Sequence, residues 1–320
     1  MLGYITRPEA PGGLERRELD EPAPEGPSQV VVEVRAFAVN RGELMLLTQR
    51  PDGWRPGQDV GGVVVARAAD GSGPPVGTRV VALADQGGWS ERVCVPSHRV
   101  AALPSAVGFA QAAALPVAGL TALRALRHGG DLLGRAVLVT GASGGVGQFA
   151  VQLAKAAGAT VSGLVSGPDK AAAAREAGAD EVRTSLDGTG PFDLALDGVG
   201  GEVLAGALRA LGPGGTVVAY GAAGGRQPTR LGFWDFAGKP GASLVGMFVY
   251  QTGEATFGDD LAFLARMVAD GRLRPPLGET RDWAEAPAAI DELRQRRATG
   301  KVVLTVEPAA TRGLEPEGGG

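Results

Sequence analysis

The stretch Val137-Leu138-Val139-Thr140-Gly141-Ala142-Ser143-Gly144-Gly145-Val146-Gly147 constrains this chain more than any other. A branched, apolar run feeds a glycine-dense turn, and an amphipathic segment follows at once. That is the layout of a buried parallel strand, a tight loop and a helix start. Gly141 permits a sharp exit from the strand, and Gly144 and Gly145 leave the main chain open to close approach. Gly147 lets the helix pack near the sheet. The first helical turn then offers N–H groups with no intrahelical acceptor and the positive end of a dipole, which suit a diphosphate. The amides of Gly141, Ser143, Gly144, Gly145, Val146 and Gly147 are therefore the expected cradle of a nucleotide.

Alternation of strands and helices continues downstream. Val146, Ala150, Leu153, Ala154 and Ala157 recur at helical spacing. Thr160–Val165 reads as a second strand, Lys170–Ala177 as a helix and Leu194–Asp197 as a strand. Glu202–Leu211 is a further helix, and Thr216–Tyr220 and Ser243–Tyr250 are strands. This is the pattern of an α/β, doubly wound parallel sheet of Rossmann type. Upstream, Val30–Ala38, Gly62–Ala68, Arg79–Ala84, Arg92–Pro96 and Val100–Ala102 are short strands between Gly, Pro and Asp, a barrel-like β pattern. Helical patterning covers Phe109–Ala125, then Leu261–Ala269 and Pro287–Arg296. A last strand, Lys301–Val306, is expected to return to the first domain. The expected division is 1–117 with 259–308 for the β domain, 118–258 for the nucleotide domain and 309–320 for a disordered tail.

The chain has 320 residues and a formal net charge of −4, without the basic surplus of a nucleic-acid binder. No apolar run reaches membrane-spanning length. Met1–Glu9 shows no basic segment followed by an apolar one, so the expectation is a cytoplasmic protein. Cys94 is the single cysteine, which excludes an intrachain disulfide and a cysteine-rich zinc site. His98 and His128 lie far apart in the pattern and read as solvated or structural.

In motif order the chain resembles the medium-chain dehydrogenase/reductase superfamily, in its zinc-free quinone oxidoreductase (zeta-crystallin-like) branch. The resemblance rests on Val39-Asn40-Arg41-Gly42-Glu43, Pro56 to Val64, Val76-Gly77-Thr78-Arg79-Val80 and Gly87-Gly88-Trp89-Ser90-Glu91. It continues through Ala114 to Ala122, the glycine turn, Ala177-Gly178-Ala179-Asp180, Asp197 to Gly201 and Gly300-Lys301-Val302-Val303. It implies a GroES-like β-barrel catalytic domain, a Rossmann domain, a cofactor in the cleft between them and a homodimer paired through the sheet edge near Ser243–Tyr250. The short-chain dehydrogenase fingerprint also fits the glycine turn. It fails because residues four beyond Tyr4, Tyr220 and Tyr250 are Pro8, Gly224 and Glu254, not the lysine that activates the phenol.

Asn40-Arg41 stands where a zinc-binding Cys-His would begin, and Gln58-Asp59 replaces His-Glu, so no metal is expected. Without a metal to stabilise an alkoxide, hydride transfer suits an acceptor that already delocalises charge, a quinone or an α,β-unsaturated carbonyl. At the end of the second strand, Ser166 and Lys170 suit a 2′-phosphate, and Arg297 resembles a late arginine that reaches the same group in some relatives. Asp169 could instead serve the ribose of NADH. The expected cofactor is NADPH, with NADH the lesser candidate. Asn40 matches the family's cleft asparagine, whose amide would bond the acceptor or nicotinamide, or else support the turn. Thr121 is expected to face the nicotinamide or to cap its helix, and Glu43 to serve a salt bridge, the helix start or catalysis. Trp54, Trp89, Trp234 and Phe248 are candidate walls or ordinary core.

The resulting expectation is an NADPH-dependent, zinc-independent reductase of a small-molecule quinone or enone, with no nucleic-acid or membrane partner. An enoyl-thioester reductase of lipid or polyketide metabolism and a catalytically idle NADPH-binding redox sensor are the alternatives.

Overall fold

The computed structural model describes residues 1–225, 227–298 and 300–307; the tail expected over 309–320 lies outside them. In chain order the first elements are β1 (Leu2–Thr6), β2 (Leu14–Glu18), β3 (Gln29–Val39) and α1 (Arg41–Gln49). Next come β4 (Asp59–Ala66), β5 (Arg79–Leu83), β6 (Arg92–Pro96), β7 (Val100–Ala102) and α2 (Phe109–Ala113). A helix α3 (Pro116–Arg127) opens on a proline, whose missing N–H costs nothing in a first turn. The expected single helical stretch is thereby cut in two. There follow β8 (Ala136–Thr140), α4 (Gly145–Ala156), β9 (Thr160–Leu164), α5 (Ala171–Glu176) and β10 (Glu181–Arg183). After these come β11 (Phe192–Asp197), α6 (Gly201–Arg209), β12 (Leu211–Ala219) and β13 (Ser243–Gly246). The chain closes with α7 (Phe257–Ala269), β14 (Leu277–Asp282), α8 (Ala286–Arg294) and β15 (Lys301–Thr305).

Two compact units result. Of the described residues, one comprises Met1–Pro116, Ala255–Ala269 and those from Leu277 to 307; the other comprises Val117–Glu254 and Asp270–Pro276. The expected block 259–308 is thus interrupted. The segment before Leu277 belongs with the second unit because Gln152 on α4 bonds both the Arg274 carbonyl and its N–H, at 2.9 and 2.8 Å.

In the first unit, seven strands form a sheet ordered β14-β15-β3-β4-β5-β7, with β6 also paired to β3. The Val-rich β3 can serve three neighbours because it is buried along most of its length. The core gathers Val30, Val32, Val34, Phe37, Val60, Val80, Val95 and Trp89. Trp89 is stacked on Phe37 at 5.7 Å between ring centroids, which makes it core and not a cleft wall. The final strand does return here, running antiparallel to β3 with Val302 opposite Val39.

The second unit holds a six-stranded parallel sheet ordered β10-β9-β8-β11-β12-β13. The order reverses between β8 and β11, and ligands of such sheets bind at the carboxyl ends of the strands flanking that reversal. The edge strand β13 is shorter than expected. It ends at Gly246, and Val249–Gln251 is a short 3-10 turn beside the exposed Phe248.

Candidate functional site

At the reversal, β8 ends on Thr140 and β11 on Asp197. The Thr140 hydroxyl donates to Asp197 Oδ1 at 2.6 Å, and Asp197 Oδ2 accepts the Gly200 N–H at 2.8 Å. Both side chains are fully buried. Burial raises the Asp197 carboxyl above its ordinary value, against the opposing bonds from Thr140 and the Gly200 and Val199 amides. Sequence reading used the Asp197 motif only as a landmark. Here it is the pin that joins the two strand ends flanking the nucleotide turn.

The turn itself has Gly141 at φ +60°, with its carbonyl accepting the Gly144 N–H at 2.9 Å. A Cβ on Gly147 would lie 2.2 Å from the Gly141 carbonyl oxygen. The glycine is therefore required by contact between helix and turn, closer than the helix–sheet packing first inferred. Ser143 fixes the next step through its carbonyl, which accepts from Gln148 Nε2 at 2.9 Å. The amides of Gly145, Val146 and Gly147 form the first turn of α4, where N–H groups have no carbonyl one turn earlier to bond. An anion would be met by these donors and by the helix dipole.

Ser166 is exposed and Lys170 half-buried just beyond β9. Next to them lies a groove of about 510 Å³ lined by Pro168, Ala171, Arg175, Val182, Arg183, Thr184, Ser185 and Asp187. Sequence reading missed Arg175 and Arg183, since neither belongs to the glycine motif. Arg175 lies on α5, and Arg183 ends β10, where it pairs with Glu181 at 2.6 Å. Arg297 is exposed in the other unit, where its N–H closes the end of α8 on the Glu292 carbonyl at 3.0 Å. Thr121 is buried, and its hydroxyl donates to the Val117 carbonyl one turn back at 2.6 Å. It is neither at a helix cap nor holding a free hydroxyl proton.

In the first unit, strand register assembles a second polar centre. Asp59 opens β4 opposite Ala38 on β3, and Lys301 opens β15 one step before Val302, which faces Val39. Asn40 follows Val39 directly, so the three side chains converge. The Lys301 ammonium donates to Asn40 Oδ1 and, at 2.9 Å, to Asp59 Oδ2. Asn40 Nδ2 donates to Asp59 Oδ2 at 2.9 Å and to Glu43 Oε2 at 3.3 Å. Glu43 Oε2 also accepts the Asn40 N–H at 2.7 Å, closing the first turn of α1. Both ends of the Asn40 carboxamide are thus engaged within the cluster. A bond donated by Nδ2 to an acceptor would require giving one of these up, while Oδ1 retains a second lone pair.

Glu43 is fully buried, and its Oε1 has no partner. Desolvation first, and the Asp59 charge second, push its carboxyl up to about 8, against the Asn40 bonds and the Lys301 charge. At neutral pH it holds its proton, leaving one ammonium facing one carboxylate. The folded state keeps a proton that the unfolded chain releases near 4.5. Stability is therefore full below that value and falls as pH rises toward 8, by up to about 1.4 kcal/mol per pH unit. Glu43→Gln should flatten this decline in urea unfolding measured across the window. An unchanged slope would mean that Glu43 is ionised in the fold.

Likeness to known proteins decides the family. The alcohol dehydrogenase GroES-like domain family matches residues 26–105, and the zinc-binding dehydrogenase family matches 167–304. The human synaptic vesicle membrane protein VAT-1 homolog is 31% identical over 330 residues, covering 92% of this chain and 83% of its own. The chain belongs to the medium-chain dehydrogenase/reductase superfamily. Among solved structures, the quinone oxidoreductase of Pseudomonas syringae is 29% identical with a TM-score of 0.82, covering 95% of this chain and 99% of that one. A mycobacterial protein solved with NADPH is 26% identical with a TM-score of 0.84, covering 96% and 100%. These likenesses place this dehydrogenase/reductase beside the quinone oxidoreductases. A polyketide synthase system protein for spectinabilin from Streptomyces orinoci is 38% identical over 301 residues, 90% of this chain. The chain spans only 14% of that protein's length. Among the described residues, no helix is long and apolar enough to cross a membrane.

Asn40-Arg41 and Gln58-Asp59, which the sequence sets in place of a Cys-His start and a His-Glu pair, offer no thiolate or imidazole, and Asn40 and Asp59 hold the Lys301 ammonium.

Proposed function

We propose that this protein is an NADPH-dependent, metal-independent reductase whose acceptor is a carbon–carbon double bond conjugated to a carbonyl, as in a quinone or an enone. The glycine turn at the sheet reversal carries the reading, because its closed geometry leaves the α4 amides to a diphosphate. The NADPH complex of the mycobacterial neighbour supports the choice of dinucleotide. NADPH supplies the hydride when bound. The chain's part is to bind and orient: the turn seats the diphosphate, Thr140 and Asp197 hold the neighbouring loop, and Ser166 and Lys170 receive the 2′-phosphate. The Lys301 cluster fixes the start of α1 through Asn40. A conjugated acceptor needs no metal to take hydride, since its own carbonyl spreads the developing charge.

The likeness to polyketide synthase segments favours a second reading, an enoyl thioester as acceptor. NADPH oxidation with quinones, short enones and an enoyl thioester, each in chelator-treated buffer, separates the two readings. Turnover of none of them contradicts both and favours the idle NADPH-binding sensor. Lys170→Ala should raise the Kd for NADPH by about tenfold, the equivalent of 1.4 kcal/mol, and leave NADH binding unmoved. Equal loss for both dinucleotides would remove Lys170 from the 2′-phosphate site.

A further inference from the structure

We propose that Lys301 is the resident cation of the Asn40–Asp59–Glu43 cluster, and that its tethered ammonium bars a divalent ion from a set of oxygens otherwise suited to one. The proposal rests on the metal-independent reading above and supplies its structural cause. Lys301 is 4% exposed and Asp59 fully buried, so this ion pair is cut off from solvent. The ammonium touches two oxygens from different elements, Asn40 Oδ1 and Asp59 Oδ2. A second carboxyl, Glu43, is bonded to the same carboxamide and has a buried oxygen, Oε1, with no partner. An amide oxygen and two carboxyls, Glu43 giving up its proton as an ion binds, are hard ligands, the chemistry that Mn²⁺ or Mg²⁺ takes.

The lysine cannot drift from this place. It opens β15, whose pairing to β3 continues from Val302–Val39 through Thr305–Ala36, and β14 flanks it on the other side at Leu277. Its charge is therefore delivered by strand register in every folded molecule, where a metal would have to be captured from solution. A second cation on the same oxygens would meet that ammonium at contact distance and be repelled. Truncating the side chain removes the charge and opens room for an ion with its waters.

The test uses the full chain, stripped of metal, with Mn²⁺ alone as the probe. Wild type and Lys301→Arg should leave the free-ion paramagnetic resonance signal undiminished and unfold at the same temperature in Mn²⁺ as in chelator. Lys301→Ala should bind Mn²⁺ at least about tenfold more tightly than wild type and unfold at a higher temperature in its presence. Adding Asp59→Ser should abolish both gains. A folded Lys301→Ala protein that gains no Mn²⁺ binding overturns the proposal, as does stoichiometric binding by wild type. If Lys301→Ala does not fold alone, Mn²⁺ must restore its folding, and failure to do so is equally contrary. None of these readouts involves NADPH, so a failed reductase assay leaves them separate.

Discussion

Gly147→Ala is expected to weaken NADPH binding by at least about tenfold and to destabilise the fold by about 1–3 kcal/mol. The direction runs against intrinsic propensity, since alanine inside a helix is better than glycine by about 1 kcal/mol. Here the added methyl would stand 2.2 Å from the Gly141 carbonyl oxygen and 2.8 Å from the Ala142 Cα, both main-chain atoms of the turn. Neither can swing aside as a flexible side chain would. Ala142 is fully buried, and its N–H is held by the Leu164 carbonyl at 3.0 Å. The helix must therefore back away from the turn, and the amides that meet the diphosphate move with it. Gly144→Ala is the control for stability alone, for its Cβ would meet the same carbonyl at 3.3 Å from an exposed position. Urea unfolding of both variants and NADPH titration of Gly147→Ala check the prediction. Equal, small effects on stability would mean that the turn adapts.

Lys301→Met should destabilise the protein by about 3–5 kcal/mol, the usual cost of stranding one member of a buried ion pair. Asp59 would keep the Asn40 amide as a donor but lose the ammonium, in a place without exposure to water. Lys301→Met combined with Asp59→Asn should recover a large part of the loss, because replacing both charges by neutral groups removes the uncompensated one. A cycle built from the two single variants and the double, followed by chemical denaturation, measures that coupling. Additive losses would show that the two groups do not act as a pair.

Residues 137–147 disclosed the nucleotide half of the molecule because its signals are local: an apolar run, a left-handed glycine and a helix start lie within eleven positions of one another. The return of the last strand was legible too, since a β segment after two helices had no place in the parallel sheet. Lys301 was not. It read only as part of a familiar Gly-Lys-Val-Val string, and its partners Asn40 and Asp59 lie 261 and 242 residues away. Nothing local marks a lysine as buried, and only the three-strand register brings it to the carboxylate. The same register gives Asn40 partners at both ends of its carboxamide, which no local pattern could show. The partner of Thr121 was not legible for a different reason. A helical threonine can satisfy its hydroxyl on the carbonyl one turn earlier, and here it does. Ser243–Tyr250 looked uniformly strand-like, yet the edge of the sheet supports pairing on one side only, and regular structure stops at Gly246.

The central claim is that this chain moves a hydride from NADPH to a conjugated acceptor without a metal. Incubating chelator-treated protein with NADPH deuterated at the transferable nicotinamide position, together with an enone, a quinone or an enoyl thioester, tests it directly by mass spectrometry of the product. The account predicts that the deuterium appears on the reduced acceptor, or in the cofactor's matching loss of label where a quinol exchanges it, at a rate the chelator does not alter. No transfer to any of the three, or transfer only after zinc is added, would contradict it.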